Sequence, residues 1–364
     1  MNHYPSNVKE KLNSIILSMA EHHWLFSKNP GHDFTRQHLG KLSFYDTMRL
    51  IISMGKGSTN DEIMDYFDLD PDLIPSQSAF CQRRRQISLS AFEYLFSEFS
   101  SSFPSTTDKF KDHCILACDG CHIVYATNSD IIEDYNKPRL IDYKGYNHMH
   151  LNGFVDVISK AFLDVVIQPG QQPDEREALH SMLDHFTPDD PQKYIITADR
   201  GYESYDLLFH CELKNLGYVF RVKSPSSPKS ILSYYASEFP DDLEEFDVTI
   251  KRFFTDKATN IMKSQSDVYR YINPSKNTPH FYELLRKKHS HLYFLQFRVV
   301  KIKTAENTYE YLITNLPFSF TLDDIRECYH WRWGIEISFR YLKHAAGLLY
   351  FHSKQPEFLK QEIY

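Results

Sequence analysis

The chain has 364 residues, 42% hydrophobic and 24% charged, with 27 Phe and 24 Tyr; this supplies more than one packed core and excludes wholesale disorder. No apolar run approaches the ~18–20 residues of a membrane helix, and the start, MNHYPSNVKEKLNSIILSMAEHH, lacks the pattern of a secretory signal, so a soluble intracellular protein is expected. A formal charge of −7 argues against nucleic acid, yet Val248–Lys303 holds twelve Lys or Arg against three Asp or Glu, a local +9 that leaves −16 elsewhere. Aromatic residues (Phe253, Phe254, Tyr269, Tyr271, Phe281, Tyr282) interleave with those cations, one footprint of a nucleic-acid surface, although a solvated lysine-rich face has the same composition.

The first hundred residues read as helices, with apolar residues at helical spacing over Val8–Trp24, Ser43–Met54, Asp61–Phe67 and Ser76–Ile87. Ser58-Thr59-Asn60-Asp61 is a helix start, Asp68–Pro75 a turn-rich connector, and Ser76 opens a polar helix carrying Arg83, Arg84 and Arg85. This pair suits a helix-turn-helix whose second helix meets DNA, and equally a helical cap with solvated arginines. Ser100–Thr107 reads as a linker.

Near residue 110 the pattern changes. His113–Cys118 predicts a strand ending at Asp119-Gly120, with Ile123–Tyr125 beginning another. Leu151–Ile158 and Ala161–Ile167 predict a hairpin, Asp174–Phe186 a helix, Tyr194–Ala198 a buried strand, Tyr205–Leu216 a helix, and Tyr218–Val222 a strand. Pro225–Lys303 breaks the alternation and is β-rich; Tyr309–Thr314 is a further strand, and Thr321 with Asp324 boxes the start of a long helix. The order suits an α/β, ribonuclease H-like domain whose mixed sheet begins with three antiparallel strands. The expected domains are a helical DNA-binding domain (1–105), a first catalytic part (106–223), a basic β-rich insertion (224–305) and a second catalytic part (306–364). Of six cysteines, Cys114, Cys118 and Cys121, flanked by His113 and His122, have a passing likeness to zinc ligands. No second ligand pair follows at finger spacing, so buried structural cysteines fit better.

Three carboxylates occupy informative places. Asp119 follows the first strand, Asp199 follows the strand expected beside it, and Glu336 lies on the last helix. Adjacent strand ends in an open α/β sheet are where sites form. An oxygen-rich pocket there suits Mg2+ or Mn2+, a pair of which promotes phosphoryl transfer. On the last helix Tyr329, Arg332, Glu336, Arg340 and Lys343 are spaced to share one stripe. A salt-bridged outer face gives the same spacing, since Arg332–Glu336 and Glu336–Arg340 are i,i+4 pairs.

The run from Tyr329 to Lys343 matches Tyr-x-x-Arg-x-x-x-Glu-x(6)-Lys and resembles the signature of the insertion-sequence 4 family of DDE transposases. Cys118-Asp119-Gly120 and Ile196-Thr-Ala-Asp199-Arg200-Gly201-Tyr202 resemble the segments around that family's two aspartates, and the likeness runs from about residue 40 to the C-terminus. The resemblance implies a cut-and-paste transposase in which Asp119, Asp199 and Glu336 bind two Mg2+ ions, with Mn2+ able to substitute. Tyr329, Arg332 and Lys343 would hold phosphates of the element ends, joined by Arg200 and Arg340. The basic insertion would grip end DNA and the N-terminal helices, through Arg83, Arg84 and Arg85, would read it. It further implies a homodimer on two DNA ends and a nucleoid-associated place in a bacterial cytoplasm. The insertion has no Trp to stack on a flipped base, leaving Phe253, Phe254 or a Tyr for that task. The chain ends in a helix without a stop signal, as a truncated copy would. A defective or domesticated DNA-binding copy and a metal nuclease on the same fold are the alternatives.

Overall fold

The computed structural model describes residues 4–34, 41–103, 109–138, 144–240, 242–273 and 278–364. The N-terminal region is helical: α1 (Tyr4–Glu21), α2 (Phe44–Ser53), α3 (Thr59–Tyr66), α4 (Gln77–Gln86) and α5 (Leu89–Ser101). Ser43 and Ser58 each accept the backbone N–H three residues on, and Asp46 and Asp61 reach back, forming capping boxes. Ile16, Met48, Ile51, Ile63, Phe80 and Phe92 then close a core belonging to these helices. The predicted linker begins later than expected, because α5 continues through Ser101; Pro104–Thr107 lie outside the described residues.

The remaining elements are β1 (Cys114–Tyr125), β2 (Tyr135–Asn136), β3 (Tyr146–Asp156), β4 (Ala161–Pro169), α6 (Glu175–His185), β5 (Tyr194–Ala198), α7 (Tyr205–Lys214) and β6 (Gly217–Val222). They continue with β7 (Phe246–Thr255), α8 (Asn260–Ser264), β8 (Tyr269–Tyr271), α9 (Pro279–Lys287), β9 (Leu292–Ala305), β10 (Thr308–Thr314), α10 (Leu322–His330), α11 (Trp333–His344) and α12 (Pro356–Ile363). Among the described residues the strands form one ten-stranded mixed sheet in the order β2-β3-β1-β5-β6-β10-β9-β7-β8, with β4 also on β3. As expected, β1, β3 and β4 are antiparallel neighbours, whereas β1, β5 and β6 are parallel and joined through α6 and α7. The strands of the basic insertion do not form a separate sheet. They extend the main one, because β10 pairs with β6 on one edge and β9 on the other.

Alternation along the strands sends residues to two helical layers. Leu116, Cys118, Ile196 and Ala198 pack with Leu179, Met182, Leu207 and Leu208 of α6 and α7. Ile115, Ala117 and Ile195 pack with Ile325, Ile335 and Phe339 of α10 and α11. The cysteines form no disulfide among the described residues; Cys114 and Cys118 are buried in β1.

Three sequence expectations change. β1 is one strand rather than two, since β3 pairs along it from Leu116 to Tyr125 and carries it through Asp119-Gly120. The long last helix is broken at Trp331–Arg332, where bonds run from Gly334 N to Trp331 O and from Ile335 N to Arg332 O, three residues apart. At this break α11 comes close to the end of β3: a Cβ on Gly334 would stand 3.1 Å from Val157 Cβ. Finally, Arg84 is buried and does not project from the helix as a solvated cation. It is 2% exposed, donating to Gln361 (2.9 Å), Phe358 O (2.5 Å) and Glu362 (2.7 Å), and so fastens α12 to the N-terminal helices. Three consecutive helical residues point roughly 100° apart: Arg84 faces inward, Arg83 lies over Phe34 and donates to Gln86, and Arg85 is exposed.

Candidate active site

The last paired residues of the parallel β1–β5 ladder are Ala117 and Thr197. Two residues further on, on the same face, come Asp119 and Asp199, so the ladder delivers both carboxylates to the layer of α10 and α11. Asp199 caps a short 3₁₀ turn, Arg200–Tyr202, by accepting Gly201 N–H at 2.6 Å. Asp119 accepts Gly120 N–H at 2.9 Å. Glu336 enters from the first turn of α11.

Arg332 ties this group together. Its side chain is nearly buried, donating from Nη1 to Asp119 Oδ2 (3.3 Å) and from Nη2 to Glu336 Oε1 (3.0 Å). Its guanidinium lies 5.6 Å from the Tyr329 ring and 5.3 Å from the Trp333 ring. Burial pushes the Asp119 carboxyl up to about 6; the Gly120 N–H and Arg332 pull it down, and the negative charges of Asp199 and Glu336 add to the rise. The pocket therefore holds an excess of negative charge that Arg332 only partly offsets. Asp119 and Glu336 flank the guanidinium and Asp199 acts on Asp119 through its charge, but the three carboxylates do not close on one point: among the described residues, only His180, His210 and His280 bring three ligand atoms all within 4.8 Å of one another.

Tyr329 and Arg332 do not continue one exposed stripe. The helix break turns Tyr329 into the core beside Val219, Phe320 and Ile335, 4% exposed, where its hydroxyl has no hydrogen-bond partner among the described residues. Lys343 lies beside Cys121, the next residue after Asp119 on that face of β1: burial pushes the Cys121 thiol up to about 11 and the Lys343 charge only partly offsets this, whereas burial, then His148, His150 and Lys343, lower His122. Arg340 and Arg200 are exposed.

Sequence reasoning missed Glu175 and His150. Glu175, at the start of α6, places its carboxylate 3.2 Å from His150 Nε2 and within reach of both aspartate loops. A Cβ on Gly120 would meet Glu175 at 2.8 Å and His150 Nε2 at 2.2 Å; one on Gly201 would meet Glu175 at 3.3 Å and Asp199 at 2.9 Å. Close approach of the buried His150 ring therefore favours glycine at 120, whereas at 201 the neighbours are carboxylate ends that can move. The signal for Glu175 was present only as an acid in a first helical turn, which reads as capping.

The basic insertion is less basic at its surface than in composition. Arg252 and Arg298 are buried against Glu238 and Asp247, and Lys303 pairs with Glu244, acids that lie upstream of the cationic stretch. Lys251, Lys257, Lys263, Arg286, Lys287 and Lys288 remain exposed, whereas Lys276 lies outside the described residues. Phe254 is buried; Phe253 is 38% exposed beside Phe294. No helix among the described residues is long and apolar enough to cross a membrane.

No curated protein sequence matches the chain. Among solved structures, the piggyBac transposase in a synaptic complex with hairpin DNA is similar over 87% of this chain and 62% of its own length, with a TM-score of 0.39 and 9% identity. The chain therefore spans less than two thirds of that protein. A sequence-family model described as Transposase DDE domain matches residues 110–364, most of the chain, and the protein belongs to that family.

Proposed function

We infer that this chain is a cut-and-paste DNA transposase of the insertion-sequence 4 type on a ribonuclease H-like fold, with Asp119, Asp199 and Glu336 as its catalytic carboxylates. Its main support is the delivery of Asp119 and Asp199 to one face of adjacent parallel strands, with Glu336 linked to Asp119 through Arg332. The donor set is all carboxylate oxygen, which suits Mg2+, with Mn2+ as substitute. Two such ions, held by Asp119, Asp199 and Glu336, supply activation of the attacking hydroxyl and stabilisation of the departing oxygen.

The other residues bind and orient. Arg332, held between two rings, presents its guanidinium to a scissile phosphate, with Lys343, Arg200 and Arg340 contacting phosphates on either side. Tyr329 supports Arg332 from the core. The exposed lysines and arginines of the insertion grip end DNA, while Arg83 and Arg85 on the N-terminal domain assist its recognition. A homodimer brings two ends together. The domain limits 1–105, 106–223, 224–305 and 306–364 describe this division of labour.

The test is incubation of the full chain, with Mg2+, with duplex DNA carrying the flanks of its own gene and a target plasmid. End-specific nicks followed by end–target joined products are expected. Cutting without end preference and without joined product would favour a plain nuclease and overturn the transposase reading.

A further inference from the structure

We propose that Glu175 is a fourth carboxylate of the cation pocket, partnered with Asp199, and that His150 is the positioning residue that aims it there, a proposal that rests on reading Asp119, Asp199 and Glu336 as cation ligands. The four carboxylates divide into two pairs. Asp119 and Glu336 share the Arg332 guanidinium. Glu175 and Asp199 meet at Gly201, where a Cβ would stand 3.3 Å from Glu175 Oε2 and 2.9 Å from Asp199 Oδ1. Among the described residues the only ion pair of Glu175 is with His150, and Asp199 has none with a Lys or Arg. Two carboxylates so placed repel unless a cation lies between them. Positive charge is therefore missing at the Glu175–Asp199 end, and the oxygen donors there suit the same Mg2+ or Mn2+.

His150 points the same way independently. It is 4% exposed and lies in β3, in register with His122 of β1 on one side and Gln168 of β4 on the other. Neither of its ring nitrogens makes a hydrogen bond among the described residues, a costly state for a buried imidazole. Nε2 lies 3.2 Å from Glu175 Oε1, so a small turn of the carboxylate lets an Nε2–H donate to Oε1 while Oε2 stays beside Asp199. Ligating carboxylates are held by outer-shell hydrogen bonds of this kind. The Glu175 side chain is 35% exposed, so it borders the open pocket while its histidine stays dry.

The start of α6 is fastened to the same strands. Gln168 donates to Asp174 O (2.9 Å) and accepts Asp174 N–H (3.0 Å), while Asn152 of β3 donates to Gln168 Oε1 (3.2 Å). Asp174 in turn caps α6 by accepting the N–H groups of Arg176 and Glu177, each at 3.1 Å. Gln168 is the β4 residue paired with His150, so this brace sets Glu175 beside the ring. His150 and Asn152 are buried polar residues in the middle of β3, where apolar side chains would pack at less cost. An acid that only complements a helix N-terminus needs neither the brace nor a buried histidine next to it.

The test titrates chelator-stripped, full-length protein with Mn2+, reading the free ion from its EPR signal, with a thermal melt in chelator confirming that each variant is folded. Wild type should bind Mn2+, and Asp119→Asn and Asp199→Asn should each weaken binding. Glu175→Gln should weaken it by ~10-fold or more. Glu177→Gln removes an exposed charge from the same helical turn and should leave the affinity unchanged. His150→Ala should weaken binding ~10-fold, His150→Gln should recover most of that loss, and neither should weaken it further when combined with Glu175→Gln. No Mn2+ binding by wild type would overturn the cation pocket and Glu175 with it. Binding weakened in Asp119→Asn and Asp199→Asn yet unchanged in Glu175→Gln, or weakened equally by Glu175→Gln and Glu177→Gln, would overturn the fourth carboxylate alone. A His150→Ala effect that persists in Glu175→Gln would overturn the positioning role of His150.

Discussion

Arg332 lies 3.3 Å from Asp119 across 213 residues of sequence, and this contact joins the helix carrying Glu336 to the strand carrying Asp119. It also keeps two part-exposed carboxylates together at neutral pH beside a nearly buried guanidinium, where solvent only partly screens their repulsion. Arg332→Ala should lower stability by about 2 kcal/mol, from lost charged hydrogen bonds and unpaired carboxylates, and abolish cleavage. Arg332→Lys should recover much of the stability and little of the cleavage, because an ammonium cannot bridge two carboxylates as a fork does. Denaturant unfolding alongside cleavage assays separates the two effects.

Asp119 makes metal-free stability depend on pH. Its folded pKa, about 6, exceeds its ordinary value of 3.8, so the folded state binds the proton more tightly. Its contribution is complete below 3.8 and is lost as pH rises through about 6. The gap corresponds to at most roughly 3 kcal/mol. Solvent at the part-exposed side chain and loss of the Arg332 contact leave a net gain of about 1 kcal/mol for Asp119→Asn above pH 6. In chelator the variant should melt higher than wild type at pH 7.5, equally near pH 4, and lower once Mg2+ stabilises wild type alone. Thermal melts at these three conditions check the order.

Gly120→Ala should be destabilised by about 1–3 kcal/mol, since its Cβ would stand 2.2 Å from His150 Nε2 in a packed strand. His150→Ala should relieve most of that penalty when combined with it. A double-mutant cycle reads the coupling directly.

Arg84 and Arg85 are adjacent in sequence but should behave oppositely. Arg84→Ala removes the buried partner of Glu362 and Gln361 and should cost about 3–5 kcal/mol. Arg85→Ala should leave stability unchanged and reduce the salt dependence of DNA binding by about one counterion. Unfolding curves and salt titrations distinguish them.

Local signals were legible wherever the determinant is local. The apolar run Tyr194–Ala198 is β5 residue for residue, Asp174 caps α6, and Thr321 with Asp324 forms the capping box of α10. The adjacency of Asp119 and Asp199 was legible too, because buried strand runs precede both. What was hidden depends on distant partners. Asp-Gly reads as a turn, yet β3 keeps Asp119-Gly120 in a strand. The polarity of Arg84 gives no hint of Glu362 waiting in the last helix, nor that of Arg252 and Arg298 of their upstream acids. Tyr329 fits a helical stripe by spacing, but the break at Trp331–Arg332 rotates it into the core.

The most direct test of the central claim is end-specific DNA cleavage by Asp119→Asn, Asp199→Asn and Glu336→Gln, each verified as folded, beside wild type in Mg2+. The account predicts that wild type cuts at the element ends and that all three variants lose cleavage by several orders of magnitude while still binding end DNA. Cleavage that survives in any one of the three would contradict a shared carboxylate site.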